Sequence, residues 1–414
     1  MKVLILSISA GGGHSQAAEA LKDYINLKDS NSEVKVIDAF KYINPLIDKV
    51  VIGSYLKTLK VTPSLYGKLY THYEGDYTLV NTIGSKFIEI MTHKLLPLIE
   101  DFNPDILVSM HSFSTEMISI MKSKYKVAIP AITIITDYYP HSSWLHPNIN
   151  AYIVSSCDMI EDMVSKGIPR NIIYNLGIPV KPGFTEKYDK KNTLNELGLS
   201  EEKNTILVMG GSLGIGKITD VYKELVKVTN EIQIIIITGS NRKLYYELMK
   251  LKGNSSKETR IIGYTDEVNK YMQACDLLLT KPGGLTITEA LICQTPIGIF
   301  SPIPGQEEKN AEFLLKHDLA VNFFNIDTCK ETIENLLSFD KKLDIMRKNF
   351  ANFSKPYSAS EIFKLMELLV KETDTSNKIK TSEKVFDKNS TDKNFFKSVE
   401  EYFMKTATKI FIGN

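Results

Sequence analysis

Cysteine is scarce in this sequence, and the positions of the few cysteines exclude most of the chemistry that cysteine supports. The 414 residues contain only Cys157, Cys275, Cys293 and Cys329. No two of them stand close enough for a CxxC zinc or redox motif, and their number does not indicate a disulfide framework. We interpret them as buried thiols of a protein in a reducing compartment.

Long apolar runs are also missing from the sequence. No stretch approaches the roughly 20 apolar residues that a membrane-spanning helix requires. The apolar start at residues 1–10 is short, and three glycines follow it where a signal peptide would continue. We therefore predict that this start is a first buried strand, that the protein is cytoplasmic, and that any membrane contact is peripheral.

Neither positively nor negatively charged residues are in excess. The 50 Lys and Arg residues are balanced by 49 Asp and Glu residues, which leaves a net charge of +1. This balance gives no whole-chain argument for nucleic-acid binding, so any affinity for anions must come from a local patch. The length and the apolar fraction of 43% predict an ordinary globular protein of two or three domains.

Short apolar runs alternate with amphipathic segments along most of the chain. Such alternation predicts parallel sheets built from βαβ units, with strands covered on both faces. Helices are expected between the strands, including Ser15–Leu27 and Lys86–Glu100. The predicted strands are Val3–Ile8, Val34–Ile37, Ile106–Met110, Ala131–Ile135, Ala151–Val154, Thr205–Met209, Gln233–Thr238, Thr259–Ile262, Leu277–Thr280 and Pro296–Ile299.

A glycine- and proline-rich segment at residues 177–183 interrupts the alternation and is predicted to be an interdomain linker. It divides the chain into two doubly wound domains, residues 1–177 and residues 178–371, with a cleft between them. Residues 372–414 begin as a polar stretch and end in an amphipathic pattern. We interpret them as a flexible linker and an amphipathic tail, which lies on a membrane, packs on the body, or does neither.

The most informative segment is Lys281–Ala290, in which two adjacent glycines join a predicted strand to a predicted helix. Glycines at such a junction let backbone N–H groups approach an anion at the helix N-terminus. Glu289 follows in the first turns of the helix, where a carboxylate can accept two sugar hydroxyls. The segment indicates a sugar-nucleotide site, and the alternative is a tight turn with a helix-stabilising glutamate.

The first glycine loop, residues 10–15, follows the first predicted strand but does not fit the dinucleotide pattern. Counted from Gly11, the GxGxxG spacing is broken at Gln16, so no nicotinamide cofactor is expected. His14 stands at the mouth of the first domain, where a general base is useful near neutral pH. The alternative is a polar loop histidine on the surface.

The second glycine loop, residues 210–217, nearly matches a P-loop. Ile218 stands where the Ser or Thr that binds magnesium is required, so an ATPase is disfavoured. Contact between this loop and a phosphate is expected, with a plain strand-to-helix turn as the alternative.

These motifs together resemble a known family. They occur in the order Ser9–His14, Thr136–Tyr138 with His141 and Trp144, Gly263–Tyr264, Thr280–Gly284, and Pro304–Glu307 with Asn310. The chain is similar over about residues 1–370 to the bacterial processive diacylglycerol glucosyltransferases and plant monogalactosyldiacylglycerol synthases of glycosyltransferase family 28. The peptidoglycan N-acetylglucosaminyltransferase is a more distant relative.

The resemblance implies an α/β GT-B fold: two Rossmann-like doubly wound domains face each other across a cleft, and a helix near residues 358–370 crosses back. It also implies that the second domain holds a UDP-sugar. In this reading Gly283, Gly284 and Thr286 approach the diphosphate, Glu289 takes the ribose hydroxyls, and Gly263 and Tyr264 border the uracil. The remaining expected donor contacts are Gly211 and Ser212 for phosphate, Gln306 and Glu307 for the sugar, Lys281 for the leaving group, and Gly13 and Asn310.

For the acceptor, the resemblance implies diacylglycerol bound by the first domain. His14 is the expected base that takes the proton of the attacking hydroxyl in an inverting single displacement, with UDP as the leaving group. Asp137 is a second candidate, either as the base or as the residue that orients His14 or the acceptor. No paired-aspartate motif is evident, so neither a metal nor another cofactor is expected.

A lipid acceptor requires contact with a membrane. Residues 50–73 are rich in apolar and tyrosine side chains, including Tyr55 and Tyr66, with interleaved lysines that suit an anionic bilayer surface. The alternative is a core-packing helix with a solvated lysine face. His141 and Trp144 lie near the acceptor-side motif, and Trp144 is a candidate interface anchor. The expected location is the inner face of the cell membrane.

Two other functions remain open from the sequence. The donor site could serve a different lipid acceptor, such as a polyprenyl-linked sugar. Alternatively, the fold could belong to a non-catalytic regulator that binds a nucleotide or a lipid. The presence of His14, Glu289 and Gln306 together argues against the regulator.

Overall fold

The computed structural model describes residues 1–9, 12–45, 80–338 and 341–375, without the side chains of residues 80–87 and 374–375. The predicted membrane segment at residues 50–73, with Tyr55 and Tyr66, lies outside the described residues. Most of the predicted tail, from residue 376 onward, does so too. Within the described ranges, no helix is both long and apolar enough to cross a bilayer.

A six-stranded parallel sheet organises the first half of the chain, with strand order β2-β1-β3-β4-β5-β6. Its central strands are apolar on both faces because helices cover both sides, and β3, β4 and β5 are buried along their whole length. The strands are β1 (Lys2–Ser7), β2 (Glu33–Asp38), β3 (Ile106–Ser109), β4 (Ala131–Ile134), β5 (Ala151–Ile153) and β6 (Ile173–Tyr174). The helices are α1 (Gly13–Lys28), α2 (Ala39–Ile43), α3 (Val80–Phe102), α4 (Ser112–Ser123) and α5 (Cys157–Ser165).

A second six-stranded parallel sheet follows, with strand order β12-β11-β10-β7-β8-β9. Its strands are β7 (Asn204–Met209), β8 (Ile232–Ile237), β9 (Thr259–Ile262), β10 (Leu277–Thr280), β11 (Ile297–Ile299) and β12 (Ala320–Asn322). The helices of this half are α6 (Lys190–Glu196), α7 (Ile218–Val226), α8 (Arg242–Lys252), α9 (Val268–Ala274), α10 (Gly284–Cys293), α11 (Gln306–Lys316), α12 (Cys329–Ser338), α13 (Lys341–Phe353) and α14 (Ser358–Thr375).

The predicted parallel-sheet architecture is confirmed, and each of the ten predicted strands lies within one residue of an observed strand at either end. Two short strands, β6 and β12, were not predicted. Each has only two or three residues and lies at the edge of its sheet, so neither produces an apolar run that the sequence pattern can separate from a loop.

The strand orders determine where ligands can bind. The chain moves from β1 outward to β2 and then crosses to β3 on the opposite side, so the order of the first sheet reverses between β1 and β3. The second sheet reverses in the same way between β7 and β10. In doubly wound sheets a crevice opens beyond the carboxyl ends of the strands that flank such a reversal. The loops after these four strands are therefore the structural candidates for a site.

The two halves share one apolar core that continues through α14. The helix packs on α1 of the first half, where the rings of Tyr24 and Phe363 are 6.3 Å apart. At its start, the Ser358 hydroxyl donates to the carbonyl oxygen of Gly177 at 2.8 Å. The end of the first half and the start of the crossing helix are thus joined directly.

The cysteine prediction needs one correction. Cys275 and Cys329 are buried and Cys293 is partly buried, but Cys157 is exposed. Cys157 is the first residue of α5, on the solvent side of the helix, so the low cysteine content of the sequence did not reveal its exposure.

Replacing Gly177 with alanine is expected to destabilise the protein by about 2–3 kcal/mol, because two costs add. Gly177 has φ +85°, a conformation that L-residues disfavour, and an added Cβ would lie 2.6 Å from Cβ of Lys355. Thermal unfolding followed by circular dichroism measures the effect.

Gly167→Ala is the matched control, because Gly167 has φ +89° but open space around its Cα. Its free energy of unfolding should fall by about 1 kcal/mol, which is the backbone cost alone. Equal losses for the two variants would contradict the packing argument at the junction with α14.

Candidate active site

A cleft lies between the two halves, beyond the carboxyl ends of strands of both sheets. From the first half it is lined by the start of α1 and by the residues after β4. From the second half it is lined by the loops after β7, β9 and β10 and by the start of α11. The predicted site residues that line it are Gly13, His14, Asp137, Gly211, Ser212, Tyr264, Lys281, Gly283, Gly284, Thr286, Glu289, Gln306 and Glu307.

The turn after β10 brings the second half into direct contact with the first. An added Cβ on Gly284 would lie 2.1 Å from the carbonyl oxygen of Thr136, so only glycine fits this contact. Gly283 has open space around it on the cleft side. Helix α10 begins at Gly284 and has no acidic residue in its first turn, so its positive N-terminal end is not neutralised by its own sequence. This geometry suits an anion.

The loop after β7 is shaped by three glycines with positive φ, Gly211, Gly214 and Gly216. An added Cβ on Gly214 would lie 2.1 Å from the carbonyl oxygen of Thr238, which keeps this loop against the next strand. The loop also meets the first half: an added Cβ on Gly12 would lie 2.4 Å from the Ser212 hydroxyl. The two glycine loops of the sequence therefore face each other across the cleft.

Glu289 projects into the cleft from α10 and is poorly solvated. Burial raises the pKa of its carboxyl to about 8, and the nearby charge of Lys181 lowers it by less. Lys181 comes from the segment that joins the two halves and forms an ion pair with Asp266 at 3.1 Å. Lys181 and Asp266 both line the cleft, and the sequence analysis identified neither. Because Lys181 lies within the segment interpreted as a linker, its charge gave no separate signal.

Tyr264 stands beside this pair at the mouth of the cleft and is 58% exposed. Its hydroxyl donates to Asp266 at 3.3 Å. Gly263 precedes it, does not line the cleft, and has no neighbouring atom within 4 Å of an added Cβ. An exposed ring at this position offers a flat surface for a planar base.

Lys281 and Glu307 form a buried ion pair at 2.9 Å on the floor of the cleft, with side chains 10% and 13% exposed. The second oxygen of Glu307 accepts the backbone N–H of Ile303 at 2.7 Å. Both carboxylate oxygens are thus bonded within the second half, so Glu307 fixes the loop before α11. Lys281 brings a cation to the end of β10, beside the glycine turn.

Asp137 connects the two halves. It is 3% exposed, and its two carboxylate oxygens accept from Gln306 at 2.5 Å and from Asn310 at 3.1 Å. Asn310 is fully buried, donates also to the carbonyl oxygen of Pro282 at 3.0 Å, and accepts the backbone N–H of Tyr138 at 2.8 Å. Asn310 therefore lies behind the cleft wall and holds the halves together.

Two opposing effects set the pKa of Asp137. Burial raises it, and the hydrogen bonds from Asn310 and Gln306 lower it; the Glu307 charge raises it further. The balance places the pKa at about 6. The carboxyl is consequently close to half ionised just below neutral pH, and both of its oxygens are already bonded to the second half.

His14 lies in the first turn of α1, and its Nδ1 is 2.6 Å from the Thr136 hydroxyl oxygen. Burial lowers the pKa of the imidazole to about 4, and a hydrogen bond to the Met110 carbonyl raises it by less. The ring is therefore neutral at pH 7 and has a lone pair that can accept a proton. Thr136, rather than Asp137, is its hydrogen-bonding neighbour.

His111 is a site residue that the sequence analysis missed. It directly follows β3, and its ring lies 4.7 Å from the ring of His14, measured between centroids. A histidine follows each of β1 and β3, the two strands that flank the reversal of the first sheet. Only the order of the strands shows that these two loops are neighbours, and the sequence pattern does not give that order.

The expectation that Trp144 anchors at a membrane surface does not fit its burial. Trp144 is 5% exposed and packs 6.2 Å from the rings of both His14 and His111. His141 is also buried, and its Nδ1 accepts the backbone N–H of Ser143 at 3.2 Å, which caps the short helical turn Ser142–Trp144. Both side chains are buried, and Trp144 lies against the ring of His14.

Two known families match successive parts of this chain. Residues 14–180 match the monogalactosyldiacylglycerol (MGDG) synthase family, and residues 205–374 match the glycosyltransferase family 28 C-terminal domain. The processive diacylglycerol beta-glucosyltransferase of Bacillus pumilus is 29% identical over 380 residues, which are 91% of this chain and 97% of that protein.

Solved structures share the fold at low sequence identity. MurG of Acinetobacter baumannii has a TM-score of 0.58 at 14% identity, over 89% of this chain and 99% of MurG. HepE of Anabaena, solved in complex with UDP, has a TM-score of 0.54 at 15% identity, over 89% of this chain and all of HepE. These likenesses confirm the predicted GT-B fold. The chain thus matches, in order, the monogalactosyldiacylglycerol synthase family in its first half and the glycosyltransferase family 28 C-terminal domain in its second half, and it is similar over most of its length to a processive diacylglycerol beta-glucosyltransferase.

Proposed function

We propose that this protein transfers a hexose from a UDP-sugar to the hydroxyl of diacylglycerol, with inversion at the anomeric carbon. The observation that carries the proposal is the shared cleft, in which His14 of the first half faces the Gly283–Glu289 turn of the second. The name of the Bacillus pumilus relative supports diacylglycerol as the acceptor and glucose as the hexose. Residues 1–177 would bind the acceptor and residues 178–371 the donor.

The donor would lie along the loops of the second half. Its diphosphate suits the exposed amides at Gly283 and the unneutralised N-terminal end of α10, together with the loop at Gly211 and Ser212. Glu289 would accept the ribose hydroxyls, with Tyr264 beside the uracil. Gln306 would reach the sugar from the start of α11.

The reaction requires one proton transfer and one displacement. The acceptor oxygen attacks the anomeric carbon, its proton passes to His14, and the bond from that carbon to the UDP oxygen breaks with its electron pair. We assign the base role to His14 because burial keeps its ring neutral and the Thr136 hydroxyl lies at Nδ1, so that Nε2 is the nitrogen proposed to take the proton. Asp137 is assigned to joining the halves, because both of its oxygens are bonded to α11.

The negative charge that develops on UDP requires donors that are already in place. Lys281, the amides of the glycine turn and the end of α10 supply them without further rearrangement. We propose that these groups carry the leaving group without a metal ion. We further propose that the protein acts peripherally at the inner face of the cell membrane, where the lipid acceptor is available.

Incubation of the purified protein with diacylglycerol vesicles and each of UDP-glucose, UDP-galactose and UDP-N-acetylglucosamine tests the proposal. We expect a glycolipid product and equimolar UDP with UDP-glucose, and slower turnover with the other donors. Release of UDP without glycolipid would indicate a different acceptor, such as a polyprenyl-linked sugar. An absence of UDP binding would favour a non-catalytic regulator.

His14→Ala is expected to retain UDP binding and to lower kcat by about 100-fold or more, because general-base catalysis is worth about 10²–10⁴ in rate. Calorimetric titration with UDP and the vesicle assay measure the two properties separately. Turnover at the wild-type level in this variant would remove His14 from the base role. Loss of UDP binding as well would indicate a structural effect.

The affinity for UDP-glucose is expected to rise about tenfold between pH 6.5 and pH 8.5, because the ribose hydroxyls favour the ionised form of Glu289. The carboxyl has a pKa of about 8 in the empty cleft, so it is mostly protonated at the lower pH and mostly ionised at the higher pH. UDP-glucose is the ligand of choice because its diphosphate does not titrate in this range. Calorimetry at both pH values measures the change.

Glu289→Gln is the matched control, since it keeps the shape of the side chain and cannot ionise. Its affinity for UDP-glucose should be weaker than that of the wild type at pH 8.5 and nearly independent of pH. A wild-type pH dependence in Glu289→Gln would contradict the assignment of the ribose contact to this carboxylate.

A further inference from the structure

His111 occupies a position next to the proposed reaction centre that the mechanism above does not use. It follows β3, whereas His14 follows β1, and these strands are neighbours at the reversal of the first sheet. The residue is partly buried and does not line the cleft itself. Its ring therefore contacts the candidate base from behind.

The backbone fixes the ring of His111. Its Nδ1 accepts the backbone N–H of Phe113 at 3.2 Å, and the residue thereby caps the N-terminus of α4. A nitrogen that accepts an amide hydrogen cannot carry a proton, so the neutral ring has its hydrogen on Nε2. Phe113 also stacks on it at 5.3 Å between ring centroids, with 25° between the planes. The orientation of His111 is thus set by the start of the helix.

The fixed ring meets His14 at a defined angle. The two imidazoles are 4.7 Å apart with 70° between their planes, an edge-to-face contact. Trp144 packs 6.2 Å from each of them and closes the group of three rings. On its other side His14 has the Thr136 hydroxyl at Nδ1. The edge-to-face contact with His111 therefore adds a restraint on the ring plane to the hydrogen bonds that His14 makes with Thr136 and with the Met110 carbonyl.

We propose that His111 is a positioning residue that holds the plane of the His14 imidazole, so that Nε2 of His14 points at the acceptor hydroxyl. The inference rests on the proposed function of His14 and deepens it. Thr136 bonds one nitrogen of the base, and the edge-to-face contact with His111 limits the tilt of the ring. Burial and the neighbouring His14 lower the pKa of His111, which keeps its ring neutral. A neutral ring favours the proposed reaction, because a positive charge on His111 would repel the charge that His14 acquires when it takes the proton.

Two substitutions separate this role from the capping role. His111→Asn keeps a side chain that caps helices well but removes the ring. His111→Phe keeps a ring of similar shape and removes the cap. For His111→Asn we expect a Tm near that of the wild type, an unchanged KM for UDP-glucose and a kcat lowered by about 10- to 100-fold. For His111→Phe we expect a lower Tm but a kcat within about threefold of the wild type.

A second readout does not depend on turnover. NMR relaxation of the His14 ring should show one rigid orientation in the wild type and in His111→Phe, and exchange between orientations in His111→Asn. His93→Asn serves as the control, because His93 is exposed on α3 and packs on Tyr125 away from the cleft. This control should match the wild type in both measurements.

The outcomes discriminate clearly. A wild-type kcat in His111→Asn, or a kcat in His111→Phe no higher than in His111→Asn, would overturn the positioning role. A His14 ring as rigid in His111→Asn as in the wild type would overturn it as well. An inactive wild type whose His14 ring still loses its rigidity in His111→Asn would instead count against the proposed function and leave the ring contact supported.

Discussion

The site depends on direct contact between the two halves of the chain. The carbonyl of Thr136 lies where a side chain on Gly284 would be, and the carboxylate of the next residue, Asp137, is held by Gln306 and Asn310. These contacts place the start of α1 opposite the start of α10. The proposed chemistry depends on these contacts, because neither half alone has both a proton acceptor and an anion-binding turn.

The electrostatics of the cleft follow from the same closeness. Because the halves exclude water, burial raises the pKa of Asp137 to about 6 and that of Glu289 to about 8, and it lowers the pKa of His14 to about 4. All three are thereby biased toward their uncharged forms in the empty cleft. Lys281 and Glu307 pair with each other. A dianionic diphosphate entering this cleft meets little negative charge that is not already paired.

Much of this arrangement could be predicted from local sequence. The apolar runs predicted the strands, and the paired glycines at 283 and 284 predicted the turn. Both signals lie within a few adjacent residues. The contacts among Asp137, Gln306 and Asn310 could not be predicted, because they join residues 169 and 173 positions apart. The burial of Trp144 and the position of His111 were missed for the same reason: both follow from the order of strands in the sheet. The roles assigned to the site residues remain predictions.

The hydrogen bond from Ser358 to Gly177 has a mechanical consequence. The chain passes from the first half to the second just after Gly177 and returns at α14, so its two crossings are fastened together at one place. Once the contacts of Asp137 with Gln306 and Asn310 are broken, two bodies whose connecting segments are fastened at one place keep a rotation about it and lose most of their freedom to slide or separate. If substrates enter and leave by movement of the halves, that movement is a rotation about the Ser358–Gly177 junction. Its amplitude grows with distance from the junction along the cleft.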